Sequence, residues 1–317
     1  MMPGWINRFL RIAVRRAGLI VAVLWGAATI AFAAVKLIPG DPVSILAGGE
    51  NVLGEAERAA LVHEYGLDQP LAVQYIHYIG KAVIGDFGQS YQYREPVGRV
   101  IWEAAGPTLQ LASSAILLAL LLAIGVALAT AGRRRNLARF SSGVELILLS
   151  TPVYWIGIVL LTIFSFNLQW FPVTGNDGLA ALVLPAVGLS LPLAALLSQV
   201  LRDGLEEALS QPFALTVRAR GVGETILRVR HGLRHAALAA STLAGTLLAG
   251  TLGGSILTET VFGRSGIGQI TLLAIKTRDM PLILGLVMLS ALIFVIVNLL
   301  VDGIYLMIDP RLRRRGL

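Results

Sequence analysis

Residues 107–131 read Pro107-Thr-Leu-Gln-Leu-Ala-Ser-Ser-Ala-Ile-Leu-Leu-Ala-Leu-Leu-Leu-Ala-Ile-Gly-Val-Ala-Leu-Ala-Thr-Ala131, and Gly132-Arg133-Arg134-Arg135 follows. No residue of that run carries a charge. A helix rises about 1.5 Å per residue, so about 20 apolar residues cross the roughly 30 Å hydrocarbon core of a bilayer. The run therefore predicts a membrane span, and the arginines behind it mark its cytoplasmic end.

Five more segments read the same way, giving spans at 17–37, 107–131, 144–167, 181–201, 236–258 and 282–307. The first also resembles a leader, because Arg15-Arg16 precede it and Ala31-Phe-Ala33 looks like a cleavage site. Its apolar run of roughly 19 residues exceeds the 7–15 of a signal core, which predicts a retained span. The composition agrees with a chain solvated mostly by lipid: of 317 residues, 56% are hydrophobic and only 14% charged, where a soluble domain has about a quarter charged. The net charge of +7 is one a nucleic-acid binder shares, but the mean hydropathy of +0.74 excludes that class. Cysteine is absent, so the chain has no disulfide and no thiolate chemistry.

With the N-terminus inside, the arginines sort to one side. Arg8, Arg11, Arg15 and Arg16, then Arg133, Arg134, Arg135 and Arg139, fall on inner segments. Arg202, Arg218, Arg220, Arg228, Arg230 and Arg234, then Arg311, Arg313, Arg314 and Arg315, join them. That is 18 of the 26 Lys and Arg, and it predicts both termini and the loops 132–140 and 202–235 inside, with 39–104 outside. The expected organisation is 1–105 as first span plus extracytoplasmic subdomain, 106–308 as a core of five spans, and 309–317 as a basic tail. In the outer subdomain, Leu67 to Ile79 has a proline-opened start and helical apolar spacing. Ile84-Gly-Asp-Phe-Gly-Gln-Ser90 is turn-rich.

Between the fourth and fifth spans lies Phe213-Ala-Leu-Thr-Val-Arg-Ala-Arg-Gly-Val-Gly-Glu-Thr-Ile-Leu-Arg-Val-Arg-His-Gly-Leu-Arg-His235. It predicts two short helices broken at Gly221 and Gly223, with apolar Leu215, Ile226, Leu227 and Leu233 available to a groove on a partner. Gly221 is expected at φ > 0. The alternative is that its arginines only obey the positive-inside rule.

Other chemistry is thin. No Gly-Lys-Ser or Gly-Lys-Thr occurs, so no Walker phosphate cradle is expected. His63, His77, His231 and His235 all fall in loops or at a span edge, and the His231/His235 spacing of four suits a surface helix as well as a metal pair. No catalytic cluster at depth and no metal site are predicted. Glu145 and Asp302 lie near span ends; Asn298 and Asp302 share one face as a polar cap or a gate. Pro152, Pro185 and Pro192 are expected to bend or break helices unless neighbours satisfy the freed carbonyls. Gly245, Gly250, Gly253 and Gly254 suit close helix packing or a mobile, path-lining helix.

The chain resembles the permease subunits of bacterial ABC importers of the dipeptide/oligopeptide/nickel branch. The resemblance rests on ordered motifs: Pro39-Gly-Asp-Pro42, Gly66-Leu-Asp-Gln-Pro-Leu71, Gln74-Tyr75, Gly85-Asp-Phe-Gly-Gln-Ser90 and Ser150-Thr-Pro-Val-Tyr-Trp155. Phe171-Pro-Val-Thr-Gly175, Leu184-Pro185, Glu259-Thr-Val-Phe262, Gly266-Ile-Gly268, Arg278-Asp-Met-Pro281, Asn298-Leu-Leu-Val-Asp302 and Asp309-Pro-Arg-Leu-Arg313 complete it. It implies an all-α integral membrane protein: six transmembrane helices, an extracytoplasmic subdomain and a cytoplasmic coupling hairpin, the EAA loop. Carried onto this sequence, the ATPase-coupling residues are Thr216, Arg218, Ala219, Gly221, Leu227, His231, Leu233 and Arg234. Leu215 stands where the motif has Glu, Val217 where it has a small residue, Arg234 where many importers have Pro, and Ser265 where the branch usually has Pro. The implied assembly pairs this chain with a second permease, two ATPase subunits that bind the ATP, and an extracytoplasmic binding protein, in the bacterial inner membrane. It implies a pore-forming subunit rather than an enzyme, with no cofactor of its own. Di- and oligopeptides are the expected cargo. Nickel or a metal chelate, and glutathione-like peptides, are the alternatives, and a secondary transporter is the rival class.

Overall fold

The structure is a computed structural model that describes residues 4–37, 54–64, 66, 68–132 and 135–308. The described residues are helical, with one isolated antiparallel bridge between Gln89 and Pro96. The motifs Pro39–Pro42 and Asp309–Arg313 lie outside the described residues, as do the side chains of Asn298 and Asp302. The chain divides into two compact units: 1–106 with 270–295, and 107–269 with 296–317.

In the first unit, α1 (Gly4–Leu37) is followed by α2 (Glu55–Glu64) and α3 (Leu71–Val83). Pro70 opens α3, where its missing N–H is no loss. Aromatic contacts hold α3 on α1. Phe32 meets Tyr75 edge-on at 5.4 Å and stacks on Tyr78 at 5.8 Å, and Thr29 shares a 2.7 Å hydrogen bond with the Tyr75 hydroxyl. Burial, with the nearby Tyr75, pushes the Tyr78 phenol up to about 12. The unit also contains the start of α4 (Val97–Thr130) and the first part of α11 (Met280–Ile308).

The second unit contains the rest of α4, then α5 (Arg135–Ser150), α6 (Val153–Leu160) and α7 (Ala180–Ser210). It continues with α8 (Pro212–Ala219), α9 (Leu233–Val261) and the start of α10 (Ile267–Thr277). Its largest core is a ladder of small residues. Ala119, Ala123, Ala127 and Ala131 recur every four residues on α4 and are buried with Leu197, Leu201 and Leu205 of α7 and Ala236 and Ala240 of α9. In lipid, apolar helices gain little by hiding from solvent, so close backbone approach over small side chains drives the packing. Gly157 and Gly204 show the same logic: an added Cβ would sit 3.1 Å from the Phe262 ring and 3.0 Å from the Ala236 Cα.

Among the described residues, four helices are long and apolar enough to cross a membrane, beginning at Val14, Val97, Ala180 and Met280. A fifth candidate among them is a bent pair. The single helix expected at 144–167 is instead α5 and α6 plus a π-helical continuation to Asn167, meeting at 101°. Pro152 is the cause: it has no N–H to give the preceding turn and drives Thr151 away from helical geometry, while serving as the N-cap of α6. Pro185 and Pro192 do not break α7, which runs unbroken for 31 residues. Two helices run past the expected spans: the helix that holds 107–131 begins at Val97, and the one that holds 181–201 continues to Ser210.

Candidate functional site

The hairpin occupies residues 211–232. Pro212 at the first helical position starts α8. Its end is a Schellman motif: Gly221 N–H donates to Arg218 O at 2.9 Å and Val222 N–H to Val217 O at 3.4 Å. That geometry needs a left-handed residue, and Gly221 has φ +78, as expected. After Gly223 comes a turn, Glu224–Ile226, then a π-helix, Leu227–Gly232, that runs into α9. An ion pair clamps the turn: Arg218 Nε donates to Glu224 Oε1 at 2.6 Å. That hydrogen bond from Arg218 holds the Glu224 carboxyl below its ordinary range, with Arg228 adding its charge.

The hairpin is seated on α7. At Gly232 an added Cβ would lie 2.4 Å from Leu205 Cδ1, so any larger residue requires the Leu205 side chain to shift. Phe213 stacks on His235 at 4.8 Å and joins the two hairpin legs. Gly132, at φ +57 between α4 and α5, donates its N–H to Glu206 at 3.3 Å and accepts from Arg228 Nη2 at 3.4 Å.

Of the expected coupling residues, Thr216, Arg218, Ala219, Gly221 and Arg234 are exposed, and His231 and Leu233 are half-buried. Leu227 is fully buried, because neighbouring residues of a helix point to different faces, and its side chain packs into the chain rather than onto the outer face. The outward apolar side chains are Leu215 (71% exposed), Ile226 (54%) and Val229 (49%). With the basic side chains around them they form a surface that no part of this chain covers among the described residues.

Three polar latches elsewhere were not legible as such in the sequence. Glu145 and Arg202 form a buried two-point ion pair at 2.9 and 2.8 Å, and Ser141 and Ser198 donate to the same carboxylate. Glu145, read as a charge near a span end, thus joins α5 to α7. Glu259 accepts from the N–H groups of Gly268 (2.7 Å) and Gln269 (3.3 Å) and from the Thr108 hydroxyl (2.6 Å). It caps α10, and a Cβ at Gly266 or Gly268 would collide with it. Asp279 takes the Ser90 hydroxyl and Gln92 N–H and caps α11 through Leu282 N–H. The motifs Glu259–Phe262, Gly266-Ile-Gly268, Gly85–Ser90 and Arg278–Pro281 therefore hold the two ends of these latches.

Residues 115–314 match the family described as "Binding-protein-dependent transport system inner membrane component", and residues 9–112 match the N-terminal part of the membrane component. The glutathione transport system permease protein GsiC of Salmonella typhimurium is 38% identical over 298 residues, covering 93% of this chain and 94% of that one. The protein of the same name from Escherichia coli K12 is 35% identical over 93% and 96%. A putative peptide permease protein of Brucella ovis is 34% identical over 96% of this chain and 99% of its own length. The chain belongs to the inner membrane components of binding-protein-dependent transport systems, the multi-pass permease subunits of ATP-driven importers.

Proposed function

We propose that this permease admits short peptides, glutathione-like tripeptides among them, together with a second, related permease. Two ATPase subunits dock on the coupling hairpins of the two permeases, one of them on the exposed face of the 211–232 hairpin, and an extracytoplasmic binding protein delivers the cargo. The single observation that carries the coupling role is the clamped Schellman turn at Gly221, with Leu215, Ile226 and Val229 facing outward. The turn is held on both sides while its outer face has no partner among the described residues, as a rigid lever needs. In the membrane, α9 joins the five candidate spans as a sixth. Its 29 residues reach ~43 Å. Both termini face the cytoplasm, since the arginines gather there. ATP-driven closure of the ATPases moves the hairpin, and the helices seated on it alternate access to the path.

Peptide cargo follows from the names of the relatives, one a putative peptide permease and others glutathione permeases. The test is uptake in a strain lacking this chain, using labelled di- to penta-peptides, glutathione and nickel. Loss of peptide or glutathione uptake is expected. Intact peptide uptake with lost nickel uptake would overturn the cargo and leave the importer standing.

A further inference from the structure

Arg264 lies in the turn between α9 and α10, and it is 1% exposed. Its Nη1 donates to Ala181 O at 3.2 Å. Nε and Nη2 are buried with no hydrogen-bond partner among the described residues. Those two N–H groups form one edge of the guanidinium plane, the edge that grips both oxygens of a carboxylate in parallel. Glu259, whose charge reaches Arg264, does not fill it. Its oxygens take the Thr108 hydroxyl and the N–H groups of Gly268 and Gln269. A buried cation with unused donors costs stability, and neither hairpin coupling nor the polar latches use this one.

The loop 168–179 closes on the same turn. Phe171 and Val173 pack on the buried cluster of Leu161, Leu184 and Phe262. Thr174 lies against Gly263, where an added Cβ would be 3.1 Å from it. Asn176 of this loop also buries an oxygen, Oδ1, that no donor meets among the described residues. The loop is held by apolar packing and by a long hydrogen bond from the Ser165 hydroxyl to Pro172 O at 3.4 Å. Gln169 (φ +55), Gly175 (φ +110) and Gly178 (φ +74) are left-handed, and a few such loop positions suffice to absorb a swing.

We propose that Arg264 is a carboxylate receptor for the cargo. When the outer side opens, the loop 168–179 lifts, the free guanidinium edge takes the terminal carboxylate of a peptide, and Asn176 Oδ1 accepts one of its N–H groups. A single contact to the carboxylate suits cargo of varied side chains, because every peptide carries that terminus. The inference rests on the peptide reading and on the orientation proposed above, which puts this turn on the extracytoplasmic side.

The test uses the assembled importer in lipid nanodiscs, without its binding protein and held by ATP and vanadate with the ATPases closed. Binding is measured for a radiolabelled tripeptide free acid and for its C-terminal amide. Wild type is expected to bind the acid on the order of tenfold tighter than the amide. Arg264→Met should lose that preference and bind the amide as wild type does. Arg264→Lys should keep part of it, since an ammonium supplies the charge without the fork. The Tm of the unliganded importer excludes a merely structural role: Arg264→Met removes a buried unpaired charge, so its Tm should equal or exceed that of wild type. Equal affinity of wild type for acid and amide would overturn the site, as would a preference that survives in Arg264→Met. A lower Tm or failed assembly of Arg264→Met would overturn it too, by showing that the fold needs the guanidinium. If neither form binds, the peptide reading fails and the site falls with it, whereas equal binding of both forms leaves that reading standing.

Discussion

Gly221 is the residue at which the hairpin is most vulnerable. Its φ of +78 strains any β-branched residue by about 1–2 kcal/mol, and no neighbour lies within 4 Å of a Cβ there, so the strain is in the backbone alone. Gly221→Val should insert and fold yet show ATP hydrolysis without transport, or lose the ATPase subunits on purification; transport at the wild-type rate would contradict the coupling role. Glu224 sets a pH limit on the same turn. Its carboxyl is lowered by Arg218, so the clamp contributes fully above the ordinary carboxylate range, about pH 4.3, and is lost as pH falls through the lowered folded value. A spin label at Leu215→Cys, in a chain with no native cysteine, should gain mobility only under that acid condition. Glu224→Gln should remove the dependence. A transition between pH 5 and 8 would contradict the assignment to Glu224. At the other latch, Thr108→Val removes both the hydroxyl given to Glu259 and the acceptor for Ile267 N–H at 2.8 Å. The expected loss is about 1–3 kcal/mol, read as a lower Tm.

Between elements, the buried Glu145–Arg202 pair is the strongest polar tie of α5 to α7. Glu145→Gln leaves a buried guanidinium without its counter-charge, a loss of about 3–5 kcal/mol. Glu145→Leu combined with Arg202→Met should recover most of it, as both charges leave together. Equal stability of Glu145→Gln and wild type in detergent unfolding would contradict the pairing. Apolar length gave the helices, and the glycine at the hairpin turn gave its conformation, because both are local properties. Pairing was not legible: Glu145 and Arg202 are far apart in sequence, as are Thr108 and Glu259, and nothing local marks a charge that will be buried against its partner. Pro152 shows the limit from the other side. Proline inside α7 leaves that helix unbroken, while Pro152 breaks the helix at 151–152, and residue type alone does not say which. The burial of Leu227 was not legible for a similar reason, since apolar composition does not say which face of a short helix turns inward.

For the whole molecule the account makes one structural demand: the exposed face of the hairpin touches the ATPase subunits, and Leu227 does not. The absence of cysteine makes each introduced thiol the only one on this chain. Single substitutions Leu215→Cys, Thr216→Cys and Ile226→Cys are introduced into the assembled importer, with Leu227→Cys as the buried counterpart, and probed with a thiol-reactive crosslinker in inside-out membrane vesicles. The account predicts adducts with an ATPase subunit from the first three positions, in yields that change with ATP, and none from Leu227→Cys. Adducts from Leu227→Cys alone, or from none of the outward positions while the ATPases co-purify, would contradict it.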